Sequence, residues 1–125
     1  MKHLTLVILL ALAPLSWGED VYYCAEEQHA AIELDEGTGA HFVQRYTPEK
    51  FTLKYEAGSN RLVIKGRTYG GSEAFYMECR GCYPRAAVFQ ANSSGLMFFL
   101  KGDRFFMGGG SFSDAVMRTG TCTKF

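Results

Sequence analysis

Two cysteines separated by two residues, Cys79-Arg-Gly-Cys82, form the sharpest chemical motif in the chain. This spacing is typical of a redox dithiol, whose reactive thiol lies at a helix N-terminus that lowers its pKa. The surrounding sequence instead predicts a strand from Ala74 to Cys79, followed by a turn from Arg80 to Pro84. We therefore favour a structural disulfide or a cross-paired arrangement over a thiol-disulfide oxidoreductase, which stays an alternative.

The other two cysteines are Cys24, near the start of the chain, and Cys122, near its end. Four cysteines in a small exported domain are more often paired than free, and three pairings are possible. We expect a Cys24–Cys122 bridge, because remote ends of the chain often meet in a closed antiparallel meander. The chain-entropy model predicts that such a bridge stabilises the fold by about 4 to 5 kcal/mol.

Glu27 and His29 would share one face of an extended strand, which suggests a metal site. Two potential ligands do not complete a site, so we expect no metal and no cofactor. His41 is interpreted as a surface residue at the end of a strand. Asp35 and Glu36 lack the alternating acidic spacing of a calcium loop, so the acids are interpreted as a solvated surface.

Other catalytic or modification motifs are few. The sequence Asn92-Ser93-Ser94 matches an N-glycosylation acceptor, which matters only in a eukaryotic secretory pathway. There is no phosphate-binding loop, nucleophile elbow or ordered Ser-His-Asp set in the sequence. Only His29 and His41 follow position 18, so hydrolytic chemistry has few residues to use. We therefore expect a protein that is not an enzyme.

The N-terminus has the pattern of a secretory leader. A basic start precedes an apolar run from Leu4 to Leu15, and small residues follow at the positions that signal peptidase reads. The run is shorter than the roughly 20 residues of a membrane span. The pattern predicts a signal peptide at residues 1–18, a single β domain at residues 19–125, and no membrane span after leader removal.

Charge and composition limit the partners and the fold class. Removal of the leader leaves 12 basic and 13 acidic side chains, a formal charge of −1. Such a balance does not favour binding to nucleic acid or to an anionic membrane. The remaining chain of about 107 residues can bury one hydrophobic core. Its aromatic residues lie in short alternating runs, which favours an all-β domain.

The clearest elements are two hairpins. The first runs from Gly95 to Met107, where Gly102 supplies the positive φ that its loop requires. Both faces of its first strand are apolar, so we expect the rest of the chain to cover both. The second hairpin joins Phe51–Tyr55 to Arg61–Lys65 through a turn at residues 57–60.

The remaining segments predict further short strands. Residues 22–34 are predicted as two strand pieces joined by a bulge around Gln28, with a helix over residues 25–34 as the alternative. Gly108-Gly109-Gly110 is expected to be flexible. Seven to nine short strands at a spacing of about ten residues predict a small antiparallel meander, barrel-like or sandwich, stabilised by disulfides.

Three segments, Tyr22 to Glu27, Tyr46 to Lys54 and Gly120 to Phe125, resemble a group of small exported proteins common in marine bacteria. The resemblance covers most of the chain after the leader in outline. It implies a bacterial protein exported to the periplasm or the exterior and a domain tied from first strand to last. It implies no activity.

A second resemblance is to the periplasmic inhibitors of c-type lysozyme, which are small antiparallel barrels. Tyr22 to Cys24 matches their Tyr-x-Cys start, and Cys122 matches their cysteine near the end. Those inhibitors present a Ser-Gly-x-Arg-Tyr type loop to the lysozyme cleft. Here Gly66-Arg67-Thr68-Tyr69 shares residue types but lacks the serine and the spacing. The resemblance implies a candidate binding loop at Arg67 and Tyr69.

Taken together, the residues predict a non-enzymatic domain that binds a protein, an envelope component or a small apolar ligand. An apolar ligand would enter an interior lined by Phe51, Leu53, Phe98 and Leu100. The competing expectation is that these side chains fill the core completely, since small barrels are usually packed.

Overall fold

The computed structural model describes residues 20–66, 74–111 and 114–124, and strands account for most of them. The predicted all-β class is confirmed, and no α-helix occurs in the described ranges. The strands are β1 (Val21–Leu34), β2 (His41–Arg45), β3 (Lys50–Glu56), β4 (Arg61–Gly66), β5 (Phe75–Tyr83), β6 (Val88–Ser93), β7 (Leu96–Lys101), β8 (Arg104–Gly110) and β9 (Ala115–Lys124). A short 3-10 turn, Pro84–Ala86, lies between β5 and β6.

Eight of the strands close into an antiparallel barrel, and β2 is added outside it. From β3 to β9 each strand pairs with the next, and β1 closes the ring by pairing with both β3 and β9. On one side β1 pairs with two different strands, because its residues 21–25 pair with β3 and its residues 30–34 pair with β2. The β2 strand therefore extends the barrel wall at one end.

A bulge in β1 changes which residues face the barrel interior. The register with β9 shifts between Glu26 and Gln28, so one residue of β1 has no opposite partner. Before the bulge the even-numbered positions are buried, ending at Glu26, and after it burial resumes at His29. The predicted bulge is confirmed, and the alternative helix is wrong because the segment is paired with β9 on both sides of the bulge.

The predicted Gly95–Met107 hairpin is the β7–β8 pair, with Gly102 at a φ of 66° in its turn. The inner faces are buried, as at Phe98 and Phe105. The outer face is not covered, since Met97 is 46% exposed. The expectation that both faces are covered is therefore wrong, because a closed barrel encloses only the inner face of each strand.

Aromatic and aliphatic side chains fill most of the barrel interior. The ring centroids of Phe51 and Phe105 lie 5.1 Å apart in an edge-on contact. The four residues considered as the lining of an apolar ligand cavity, Phe51, Leu53, Phe98 and Leu100, all belong to this buried core. At their level the interior is therefore occupied by packed side chains, each stabilising the fold by about 1.5 to 3 kcal/mol.

The structure pairs Cys24 with Cys122 and Cys79 with Cys82, so no cysteine is free. Cys24 and Cys122 lie directly opposite each other in the β1–β9 ladder, with Cα atoms 4.0 Å apart. The Cys122 N–H donates to the Asp103 carbonyl on the β8 side, so Cys24 and Cys122 are a pair without backbone hydrogen bonds between them, the kind in which side chains lie closer. The first strand is thus linked covalently to the last.

Two segments with turn-like sequences are parts of strands. β5 continues to Tyr83 through the predicted turn, because a bulge between Cys79 and Gly81 takes up one residue while pairing with β6 continues. Gly108-Gly109-Gly110, expected to be flexible, forms the end of β8 and is paired with β7 and β9. A glycine is required at Gly109, since a Cβ there would lie 2.1 Å from the Gly95 carbonyl oxygen.

Within residues 20–66, 74–111 and 114–124, no helix has the length and apolar character needed to cross a membrane.

Candidate binding site at the open end of the barrel

A cavity of about 560 Å³ opens at the end of the barrel where the second half of β1 lies beside β9 and near the ends of β7 and β8. The charged and aromatic side chains that line this mouth cavity are His29, Glu33, Tyr46, Asp114 and Arg118. Small residues leave the space open, among them Gly95 and Gly109, and a Cβ at Gly109 would lie 2.1 Å from the Gly95 carbonyl oxygen.

The bulge in β1 explains why polar side chains line this end of the barrel. After the bulge, alternate residues of β1 face inward, so His29, Ala31 and Glu33 line the cavity. In the β1–β9 ladder, Arg118 lies opposite His29 and Val116 lies opposite Ala31. Residues directly opposite each other on antiparallel strands share a face, so the two strands form one continuous wall.

A buried ion pair lies at the inner end of the cavity. The Glu26 side chain is fully buried, and its Oε2 lies 3.3 Å from Nη1 of Arg118, which donates to it. The other oxygen, Oε1, accepts a hydrogen bond of 2.9 Å from the Glu49 N–H. A buried carboxylate keeps its charge only when it is paired and hydrogen-bonded in this way. The Glu26–Arg118 pair therefore adds no net charge to the cavity.

His29 lies beside this ion pair and is only 8% exposed. Its Nδ1 is 3.8 Å from Oε1 of Glu26, too far for a hydrogen bond, and has no hydrogen-bond partner among the described residues. Burial lowers the pKa of His29 below its ordinary value of 6.5, and Arg118 lowers it further, against the opposing effect of Glu26 and Glu49. The imidazole is therefore neutral at pH 7.

Tyr46 and two carboxylates complete the outer part of the cavity. The Tyr46 ring lies against the His29 ring, with centroids 4.8 Å apart and planes 31° apart. Its hydroxyl donates a hydrogen bond to Glu33, which raises the pKa of Tyr46 above its ordinary value. Asp114 is exposed and accepts a hydrogen bond of 3.4 Å from the Leu34 N–H. The opening is therefore bordered by negative charge.

Comparison with known proteins adds no relative. No protein-family model, curated protein or solved structure matches the chain. The resemblances to marine-bacterial proteins and to lysozyme inhibitors therefore stay predictions.

The predicted pairing of Glu27 and His29 on one face is wrong. Glu27 lies on the outer surface, where both of its oxygens are 3.0 Å from Nη1 of Arg104. The bulge between the two residues removes the alternation on which the prediction was based. In the part of the chain that the structure describes, no cluster of three His, Cys, Asp or Glu residues could hold a metal ion.

Other sequence-predicted residues lie away from the mouth cavity. His41 is exposed at the start of β2, and Asn92 is exposed within β6. The Asp35 side chain accepts a hydrogen bond of 2.9 Å from the Gly37 N–H in the loop after β1. The candidate loop residues Arg67 and Tyr69, like the predicted signal peptide, lie outside the described residues.

Glu26 and Arg118 are not among the site residues predicted from sequence, although the cysteines carry a signal for both. Paired cysteines in opposite strands face the interior, so positions two and four residues away face it as well. The residue two positions after Cys24 is Glu26, and the residues two and four positions before Cys122 are Gly120 and Arg118. Two opposite charges at inward positions predict a buried ion pair.

Proposed function

We propose that this chain is a non-enzymatic binding domain that receives its ligand in the mouth cavity. The observation that carries the proposal is the convergence of His29, Tyr46, Glu33 and Asp114 on one open cavity while the rest of the interior is packed with apolar side chains. Ligand sites commonly combine an apolar pocket with a few converging polar groups. The two disulfides are compatible with an oxidising compartment, which supports export to the periplasm or the exterior.

The contacts in the cavity support binding over catalysis. A histidine base normally acts through a hydrogen bond to a nucleophile, and a third group holds the base in place. His29 Nδ1 has no hydrogen-bond partner among the described residues, so no such third group holds it. The Glu26 carboxylate is already bound by Arg118 and by the Glu49 N–H. These groups fix the shape and charge of the cavity.

The redox alternative has less support from the environment of the cysteines. Cys79 is buried and is bonded to Cys82 within β5, and a three-residue 3-10 turn follows that strand. A helix N-terminus that would lower the pKa of a thiol is therefore not adjacent. Insulin reduction by the purified protein tests this alternative, with Cys82→Ser as the variant. Activity that is lost in this variant would favour the redox function.

Lysozyme inhibition stays a second candidate because of one observation. The structure is a closed antiparallel barrel with Cys24 in its first strand and Cys122 in its last, and the resemblance to the inhibitors implies a small antiparallel barrel with cysteines at these places. A lytic assay with c-type lysozyme tests this function. Protection of cells by the wild-type protein and its loss in Arg67→Ala or Tyr69→Ala would support inhibition.

The binding proposal can be tested with two neighbouring residues of β9. Val116 faces the mouth cavity, whereas Met117 faces outward and is 53% exposed. Tryptophan at position 116 would fill the cavity, and tryptophan at position 117 would leave it open. Amide chemical shifts of the ¹⁵N-labelled exported protein are recorded during titration with a library of small cations, anions and neutral compounds.

We expect at least one compound class to shift the amides of residues 29–33 and 116–118 in the wild-type protein and in Met117→Trp. The same shifts should be absent in Val116→Trp, whose circular dichroism shows whether the barrel is intact. Shifts that persist in a folded Val116→Trp variant, or that occur only on the outer surface, would contradict the proposed site.

A further inference from the structure

We propose that the mouth cavity binds an organic cation, an ammonium or guanidinium group on an aliphatic stem. This inference rests on the proposed function and names the class of ligand for the same cavity. Charge, hydrogen-bond polarity and the shape of the lining each support it.

The charge around the cavity favours a positive ligand. Arg118 is the one permanently basic side chain among the described lining residues, and it contacts the buried Glu26 carboxylate. Glu33 and Asp114 then leave the lining with two negative charges, because His29 is neutral at pH 7. Glu33 is partly buried, so its charge is screened less than the charge of the exposed Asp114. A cation is attracted there, and an anion is repelled.

The hydrogen-bonding groups also favour a ligand that donates. The outer carboxylates of Glu33 and Asp114 line the cavity, and a carboxylate only accepts hydrogen bonds. Nδ1 of His29 is buried, so only Nε2 of this ring can reach a ligand in the cavity. The negative groups at the opening therefore need a ligand that donates.

The remaining lining suits an aliphatic stem beside a cationic group. Ala31, Leu96 and Val116 provide apolar surface within the cavity. The Tyr46 ring supplies an aromatic face, and it is held by its contact with His29 and its hydrogen bond to Glu33. Aromatic faces attract cations, and Tyr46 lies next to the carboxylate that would pair with the charge. The stem can thus lie inside while the charged group lies near Glu33 and Asp114.

Isothermal titration calorimetry of the exported protein with matched probes tests the ligand class. The probes are n-pentylammonium, 1-pentanol and pentanoate, which share a five-carbon stem and differ in charge. Nα-acetyl-lysine methylamide is added to distinguish a protein side chain from a free amine. We expect n-pentylammonium to bind at least about tenfold more tightly than 1-pentanol, pentanoate not to bind, and added salt to weaken the binding.

Two sets of variants connect this binding to the cavity. Glu33→Gln combined with Asp114→Asn removes both outer charges but keeps the acceptors of the hydrogen bonds from Tyr46 and Leu34. We expect this double variant to lose about tenfold or more in affinity for n-pentylammonium. Glu27→Gln removes one negative charge from the outer wall and should leave the affinity unchanged.

Each outcome has a defined meaning. Suppose that 1-pentanol or pentanoate binds, that this binding is lost in Val116→Trp, and that n-pentylammonium does not bind. The inference of a cationic ligand is then overturned, and the proposed binding site stays in place. No binding of n-pentylammonium or of the lysine derivative overturns the inference, and failure of the whole library in the amide titration overturns the proposed function too. Tighter binding of the lysine derivative than of n-pentylammonium supports a lysine side chain of a partner as the source, and the reverse supports a free amine.

Discussion

Replacement of both Cys24 and Cys122 by alanine removes the covalent link between β1 and β9. The two cysteines are 98 positions apart in sequence, so the chain-entropy model predicts a loss of about 4 to 5 kcal/mol in the free energy of unfolding. Cys79 and Cys82 are 3 positions apart, and the same model gives about 2 kcal/mol for their bridge. The long bridge should therefore contribute about two to three times as much stability as the short one.

Burial differs less between the two bridges than loop length does. Cys24, Cys122 and Cys79 are buried and Cys82 is partly buried, so each pair of alanine substitutions removes buried sulfur from the core. The ladder between β1 and β9 also extends far beyond the bridge, from Tyr22 to Ile32, so the barrel can still close without it. What the substitution changes is mainly the conformational freedom of the unfolded chain.

Guanidinium chloride unfolding measures both losses. The single tryptophan, Trp17, lies in the predicted leader, so far-UV circular dichroism or tyrosine fluorescence is the appropriate signal. We expect Cys24→Ala/Cys122→Ala to lose about two to three times as much free energy of unfolding as Cys79→Ala/Cys82→Ala. The denaturant dependence of each variant is fitted separately, because removal of a bridge changes the unfolded state. An equal loss, or a larger loss for the short bridge, would refute the reasoning.

Three other predictions concern single residues. Gly120→Ala should destabilise the barrel by about 3 kcal/mol or more in denaturant unfolding, because its Cβ would lie 2.0 Å from the Ala25 carbonyl oxygen. Gly58→Ala is the control: a Cβ there has open space, so the stability should not change. Phe98→Ala should cost about 3 to 5 kcal/mol because this ring is fully buried in the core; a much smaller loss would contradict the packing described here. His29→Gln should reduce the loss of stability on acidification, as measured by thermal unfolding between pH 7 and pH 5.

The sign of the pH effect follows from the lowered pKa of His29. As pH falls, the unfolded chain takes up the histidine proton first, near pH 6.5, while the folded protein resists it. The stability contributed by neutral His29 is therefore present above about pH 6.5 and is lost as the pH falls toward the folded-state pKa. His41→Gln, at an exposed position on β2, is the control and should keep the wild-type pH dependence. Equal pH dependence in both variants would contradict the assignment.

The hairpins could be predicted from sequence because their signals are local. The β3–β4 pair combines alternating apolar residues with a polar turn at residues 57–60, and the β7–β8 pair has Gly102 in its turn. Gly108-Gly109-Gly110 could not be predicted in the same way. Gly109 is needed because the Gly95 backbone approaches it closely from the turn before β7, whereas composition alone suggests a loop.

The candidate site was harder to predict because it depends on contacts between distant parts of the chain. Glu26 and Arg118 are 92 positions apart and meet only when β1 pairs with β9. The sequence predicts a bulge near Gln28, but the inward position of His29 depends on which residue is the extra one, and that is fixed only by the pairing with β9. The cavity itself exists only after the barrel closes, and no local pattern encodes its volume.

The bulge in β1 also determines where this strand can tolerate a change of length. Glu27 has no opposite partner in the β1–β9 ladder, so deleting that codon would give a regular strand with every other side chain on its present face. Deleting one residue between His29 and Glu33 would instead move the side chain of every following β1 residue to the opposite face of the barrel wall. Natural homologues of this barrel that have a shorter β1 should therefore have the deletion at position 27.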